Sequence, residues 1–325
     1  MKVTIKDIAR MAGVTHPTVS KALNGAPGVS EEIRRKIVDI AERLNYVPNL
    51  AAKRLADRDT HSIGLIWPKS EGLFFYHLCR EIQKEGFELG LNVMFSMAEP
   101  PQALRMFNEH FINRVLFWCP PNWTPTAEFM KQKERFQGSM LLMGGGKLEG
   151  AHRISVNRRG GALEAVKHLA AQGHKRISFV GERNEKWQGF MQGVLELGLV
   201  YEPDDMIIAE EGEPFEESKV EALLALPERP TAFVVDSQSF AFALLKLLRK
   251  HRVSIPEQFS MVVYDDIPEM GMLDIPLTTV GPSIRELADM ALQMLTQPGE
   301  DQTVWHNREV NCELALRESV KVLQI

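Results

Sequence analysis

The chain has 325 residues, 44% of them hydrophobic and 25% charged, with a formal net charge of −5. At about 100–200 residues per domain this length predicts two or three domains, and the composition excludes disordered and collagen-like chains. Uninterrupted apolar runs, such as 115–119 and 140–143, fall far short of the roughly 20 residues a spanning helix needs, so no membrane partner is expected.

The N-terminus, Met1-Lys2-Val3-Thr4-Ile5-Lys6-Asp7, has no apolar core of the signal-peptide kind. Cys79, Cys119 and Cys312 lie too far apart for a disulfide framework or a four-cysteine zinc site, and a reducing cytoplasmic setting is expected. The net charge conceals a split: residues 1–60 carry 11 Lys+Arg against 7 Asp+Glu, a balance of +4, and the remainder a balance of −9. A basic head on an acidic body predicts that the head meets an anion such as nucleic acid.

In the head, Thr4 and Asp7 read as a capping box that starts a helix, with Ile5, Ile8, Ala9 and Ala12 as its apolar stripe. Gly13 suits the left-handed backbone that ends a helix. Thr15 then caps a second helix, whose first turn tolerates Pro17 and whose buried face is Val19, Ala22 and Leu23. After the turn-forming Asn24-Gly25-Ala26-Pro27-Gly28, Ser30 caps a third helix with a core stripe of Ile33, Ile37, Ile40, Ala41 and Leu44. Three short helices with a tight Gly turn between the first two predict a helix-turn-helix, whose second helix can enter a major groove.

The residues Val3-Thr4-Ile5-Lys6-Asp7-Ile8-Ala9, Ala12-Gly13-Val14, Thr18-Val19-Ser20, Leu23-Asn24 and Leu44-Asn45-Tyr46-Val47-Pro48-Asn49 resemble the head of the lactose-repressor (LacI/GalR) family of bacterial transcriptional regulators. The resemblance implies that His16, Pro17 and Lys21 are the base-reading positions and that Thr18, Ser20, Asn24 and Ser30 contact phosphates. Thr4, Thr15 and Tyr46 belong to the same implied DNA-binding set. Pro17 departs from the family pattern, since it offers no hydrogen bond; it can pack on a thymine methyl. Residues 49–60 would be the hinge helix and linker, with Asn49 and Ala52 on the DNA and Leu55 as the apolar wedge that kinks a base step.

From residue 61 onward, short apolar strands alternate with amphipathic helices: strands at 62–67, 92–97, 115–119, 140–143, 177–180, 206–209, 232–235 and 261–264, and helices at 74–89, 102–113, 160–171, 187–197, 216–226 and 240–251. This rhythm predicts parallel, doubly wound α/β sheets, and the span is too long for one sheet, so two lobes are expected. Gly160-Gly161-Ala162, Gly173-His174-Lys175-Arg176-Ile177, Tyr264-Asp265-Asp266 and Pro276-Leu277-Thr278-Thr279-Val280 resemble the family's effector domain, which is similar to periplasmic sugar-binding proteins. The resemblance implies a head at 1–48, the hinge segment at 49–60 and a two-lobed effector and dimerisation body at 61–325. Lobe one would hold about 61–156 and 282–307, lobe two about 157–280 and 308–325, with chain crossings near 157, 281 and 308.

Several cleft positions depart from the family pattern. Lys186 stands before Gly189-Phe190 where an Arg is usual, and so loses the planar fork. Asn157-Arg158 replaces the usual Asp-Asn, and Asp236-Ser237-Gln238 precedes Phe240-Ala241 where Asn-Asp is usual. Aromatic residues expected near the cleft are Trp67, Phe74, Phe75, Trp118, Trp123 and Trp187. The expected effector set is Phe74, Phe75, Trp118, Asn157, Lys186, Trp187, Asp236 and Asp265, the last at a strand's C-terminal end, where open α/β sheets bind ligands.

No enzyme is expected. Gly144-Gly145-Gly146-Lys147 lacks the first Gly and the Ser or Thr of a phosphate loop, and the adjacent Asp265 and Asp266 point apart. No cofactor and no metal site are indicated. The reading is a sequence-specific regulator, a repressor of a carbohydrate-utilisation operon. It binds a near-palindromic double-stranded DNA operator as a homodimer and answers to a sugar or sugar acid. The alternatives are the same regulator controlled by a protein partner, and a solute-binding protein.

Overall fold

The computed structural model describes residues 3–46, 61–67, 72–120, 122–297 and 305–323. The chain divides into two compact units, Met1–Thr60 and His61–Ile325.

The first unit holds three helices, α1 (Ile5–Ala12), α2 (His16–Leu23) and α3 (Glu31–Arg43). The Thr4 backbone N–H and hydroxyl both donate to Asp7 Oδ2, at 3.0 and 2.6 Å, which anchors the start of α1. Gly13 ends that helix at φ +73°, a conformation that disfavours any side chain. Ile8, Val19 and Ile37, one from each helix, are fully buried at the centre, with Ala9, Ala12, Ala22, Ile40 and Ala41 around them. Ile33 departs from the expected stripe and is 37% exposed. The neighbouring Arg34 takes the space beside α2 instead, donating to the Ala22 and Ala26 carbonyls at 2.9 and 2.8 Å. Lys36 does the same for α1, donating to the Ala12 carbonyl at 3.0 Å.

The second unit contains two six-stranded sheets. Sheet one is built from β1 (Ser62–Ile66), β2 (Asn92–Ser96), β3 (Arg114–Trp118), β4 (Ser139–Gly144), β5 (His152–Val156) and β11 (Asn307–Val310), in the order β11-β5-β4-β3-β1-β2 and parallel throughout. Sheet two is built from β6 (Ile177–Glu182), β7 (Ile207–Ala209), β8 (Ala232–Val235), β9 (Ser260–Tyr264), β10 (Thr278–Pro282) and β12 (Cys312–Ala315). Its order is β12-β10-β9-β8-β6-β7, with β12 the antiparallel edge. Strands β1, β8, β9 and β10 are buried on both faces, the pattern of a parallel sheet covered by helices on each side.

The covering helices of lobe one are α4 (Leu73–Glu88), α5 (Pro100–Glu109), α6 (Ala127–Arg135) and α11 (Ile284–Thr296). Those of lobe two are α7 (Arg158–Ala171), α8 (Glu185–Glu196), α9 (Glu217–Leu224) and α10 (Gln238–Lys250). The chain crosses between lobes at Asn157, between β5 and α7; at Ser283, between β10 and α11; and at Asn311, between β11 and β12. The third crossing thus falls three residues beyond the expected 308, because the polar segment Asn307–Val310 pairs as an edge strand of sheet one. Elements α6, β5, β10, α11, β11 and β12 all lie in stretches that the strand–helix rhythm leaves unassigned.

Candidate DNA interface and interlobe cleft

In the head, burial of Val19 and Ala22 turns the opposite face of α2 to solvent. His16 and Ser20, and Pro17 and Lys21, are i,i+4 pairs on that helix, so they stand one turn apart. His16, Pro17 and Lys21 are exposed, and Thr18 and Ser20 are half-buried. Neither His16 nor Lys21 makes a side-chain hydrogen bond or ion pair among the described residues, whereas the Thr15 and Thr18 hydroxyls are bonded to each other at 2.8 Å. Thr4, Thr15, Asn24 and Ser30 are exposed at helix ends, and Ser30 Oγ accepts from Ile33 N at 3.4 Å. Tyr46 packs on the head's core. Asn49, Ala52 and Leu55 lie outside the described residues.

The cleft groups of lobe two gather through strand register. Val180 of β6 pairs with Val235 of β8, which pairs with Val263 of β9, so the three carboxyl ends are level. Asp236 follows that level by one residue in β8 and Asp265 by two in β9, near enough for the Asp236 charge to act on Asp265. Asp236, 3% exposed, is fully engaged: its Oδ2 accepts from Glu182 N and Asn184 Nδ2, both at 3.0 Å, and Lys186 pairs with its carboxylate. Lys186 Nζ also donates to the Asp236 backbone carbonyl at 2.7 Å and lies 4.6 Å from the centre of the Tyr264 ring. Asn184 caps α8, accepting from Lys186 N at 2.8 Å, and so fixes where Lys186 starts.

Asp265 is different. It sits at φ +83°, an uncommon conformation for a residue with a side chain, and its carboxylate makes no hydrogen bond among the described residues. Burial pushes its pKa up to about 6, with the Asp236 charge adding to the rise and Lys186 and Arg158 opposing it.

On the lobe-one side, Trp67 and Trp118 stack at 5.3 Å, and Phe75 meets both edge-on at 5.0 and 5.1 Å. Phe75 is half-buried, while Phe74 and Trp118 are 4% and 8% exposed and belong mainly to the core. Two aromatic residues leave the expected set. Trp123 packs on Phe117 and Phe129 behind sheet one, and the Trp187 indole packs on Phe179 and Phe190 in lobe two, with Arg183 over its ring. The reason is helical phase: Lys186 and Trp187 are consecutive, so only one of them can face the Asp236 side. Asn157 is a crossing residue that caps α7, accepting from Gly160 N at 2.9 Å and donating to Asn311 at 3.1 Å.

Sequence reasoning missed Gln238, Asn184, Tyr264 and the His77–Glu269 contact, in which His77 Nε2 lies 3.0 and 2.9 Å from the two carboxylate oxygens. The one available signal was the departure at Ser237-Gln238 from the family pattern. Among the described residues, no cluster of three or more His, Cys, Asp or Glu is placed to hold a metal ion, and no helix is long and apolar enough to cross a membrane.

A helix-turn-helix head followed by a two-lobed α/β body with a cleft defines a DNA-binding transcriptional regulator. Comparison with known proteins gives the particular family. Residues 4–49 match "Bacterial regulatory proteins, lacI family" and residues 166–320 match "Periplasmic binding protein-like domain". The head is thus a lacI-family DNA-binding domain, and the body carries a periplasmic-binding-protein-like domain.

It is 29% identical over 338 residues to the HTH-type transcriptional repressor PurR of Photobacterium profundum, covering 98% of this chain and 99% of that protein. It is 28% identical over 319 residues to catabolite control protein A of Priestia megaterium, covering 94% and 95%. Among solved structures it shares its fold with the lac repressor dimer bound to operator and the anti-inducer ONPF, at a TM-score of 0.80 and 22% identity over 99% of this chain and 100% of that one. It also resembles the CelR–cellobiose complex, at a TM-score of 0.61 and 20% identity over 98% and 100%.

Proposed function

We infer that this regulator is a cytoplasmic repressor that binds a near-palindromic operator as a homodimer and is controlled by a small, hydroxyl-rich ligand in the interlobe cleft, a sugar or a close relative. The carrying observation is Asp265, at a positive φ just past a strand's carboxyl end, whose carboxylate makes no hydrogen bond among the described residues. A ligand hydroxyl would donate to Asp265, and an apolar ring face would lie on Phe75. His16 and Lys21, unpaired and exposed on α2, would read bases, and a dimer supplies the second half-site that one short helix lacks. The relatives' repressor names and the sugar in the CelR complex support this class.

Lys186 favours a neutral ligand over an acid, since its ammonium is already held by Asp236. That same internal pairing favours a second reading, control by a protein partner. The deciding experiment selects operator fragments with the purified chain, then titrates DNA affinity against carbohydrates found by thermal shift. A hit whose effect disappears in Asp265→Ala supports the ligand reading. Absence of any hit, or an effect that survives Asp265→Ala, hands control to a partner.

A further inference from the structure

The interlobe cleft is bridged by the chain itself. Gln238 is the first residue of α10, on lobe two, and is 4% exposed. Its side chain crosses to the first turn of α4, on lobe one; the amide orientation is assigned from its neighbours, both of them donors, and in that orientation its oxygen accepts from Leu73 N at 2.8 Å and Phe74 N at 3.2 Å. These are N-terminal helix amides, which have no partner within their own helix and otherwise turn to water or a ligand's oxygen.

Gly72, at φ +120°, sits just before them, and a Cβ there would collide with the Gln238 amide, so the close approach needs glycine. Two further contacts join the lobes. His77, one turn along α4, meets Glu269 of lobe two, and Arg158 of α7 donates to the Gly144 carbonyl at the end of β4 at 2.7 Å.

We propose that Gln238 is a built-in stand-in for an effector oxygen: it satisfies the Leu73 and Phe74 amides, ties lobe two to lobe one through them, and is displaced by any small molecule that uses the same amides. The proposal rests on the cleft being the control site. It adds that the Gln238 contact competes with the effector and that an effector needs an oxygen acceptor aimed at α4. Apparent effector affinity is reduced to the fraction of molecules that are unlatched, and removing the latch restores it. Leu73 and Phe74 are 165 and 164 residues from Gln238 in the sequence, so the contact reports lobe closure rather than local folding.

The test uses the full chain without DNA or effector. Gln238→Leu keeps the side chain's bulk and removes its acceptor, while Gln238→Glu keeps an acceptor. In Gln238→Leu the Leu73 and Phe74 amides should exchange about tenfold faster, the effect of losing two hydrogen bonds, and small-angle scattering should show a larger radius of gyration. Gln238→Glu should keep both readouts at the wild-type level or more protected. Faster exchange with unchanged scattering would reduce Gln238 to a local cap and overturn the latch, as would unchanged exchange. Should Gln238→Leu fail to fold, Gln238→Ala takes its place with the same two readouts and the same deciding outcomes. None of these readouts involves a ligand, so a regulator that answers to no small molecule would show that in the DNA titration and leave the latch result standing.

Discussion

The Lys186 ammonium and the Asp236 residue form a closed unit: Lys186 pairs with the Asp236 carboxylate and donates at 2.7 Å to the same residue's backbone carbonyl. The pair belongs to the fold of lobe two before any ligand arrives.

Removing one member of a buried pair leaves the other charge uncompensated, at a cost of about 3–5 kcal/mol. Lys186→Ala should therefore lower the stability of the body by about 3 kcal/mol in urea denaturation. The double variant Lys186→Met with Asp236→Asn should lose distinctly less, because no charge is left unpaired. A single-variant loss below about 1 kcal/mol, the range of exposed ion pairs, would show that the pair is not structural.

Asp265 gives a pH signature of the opposite kind. Its pKa is about 6 in the folded chain and 3.8 as a free side chain, so the folded state holds its proton more tightly. Its contribution to stability is therefore greatest below about pH 4 and declines as pH rises towards 6. Asp265→Asn should stabilise the body by about 1–2 kcal/mol above pH 6.5, after discounting for solvent access, and by almost nothing near pH 4. Thermal melts of both proteins across that range check the sign. Effector binding that needs the carboxylate should strengthen as pH rises through 6.

Three imidazoles work the other way. Burial pushes the pKa values of His152, His168 and His174 down from 6.5, and the nearby His306 adds to the effect at His152. The unfolded chain therefore takes up these protons first, so stability is complete above about pH 6.5 and drains away as pH falls below it. His174 is fully buried, with Nδ1 2.7 Å from the Thr231 hydroxyl. His174→Gln should flatten the decline between pH 6.5 and 5 while costing some stability at pH 8. An unchanged slope would place the acid sensitivity elsewhere.

In the head, two basic residues have separable jobs. Arg34 caps the end of α2 through the Ala22 and Ala26 carbonyls, so Arg34→Ala should lower head stability by about 1–3 kcal/mol. Lys21 makes no side-chain hydrogen bond or ion pair among the described residues, so Lys21→Ala should leave the melting curve alone, weaken DNA binding and reduce the salt slope by about one. Circular dichroism melts and anisotropy titrations at several salt concentrations separate the two. Equal effects of both substitutions on stability would contradict the assignment.

The head was legible in the sequence because its determinants are local. Ile8, Ala12, Val19, Ile37 and Ile40 fall at helical spacing, Gly13 supplies a left-handed turn, and Pro17 sits where a missing N–H costs little. Ile33 broke the pattern only because Arg34, a charged residue, found two carbonyls to cap. The strands of the body were legible where both faces are buried, as in β8 and β9, since a continuous apolar run needs no partner to be recognised. By contrast β11, Asn-Arg-Glu-Val, is polar and largely exposed, and only its pairing with β5 makes it a strand.

The sequence by itself determined the lacI-like head, its helix-turn-helix and the parallel α/β character of the body, because periodicity records which residues are buried and burial is decided within a few residues. Which charges remain available was decided by the tertiary structure alone. Asp236 and Asp265 both follow an apolar strand and look alike on paper, yet among the described residues one carboxylate has three partners and the other no hydrogen bond. Lys186 looks like a ligand contact until Asp236 arrives from 50 residues away, and Gln238 looks like an ordinary helix start until it meets the amides of the opposite lobe. Hydrogen bonds and ion pairs are set by distances of a few ångströms between segments remote in sequence, and only the folded chain brings those segments together.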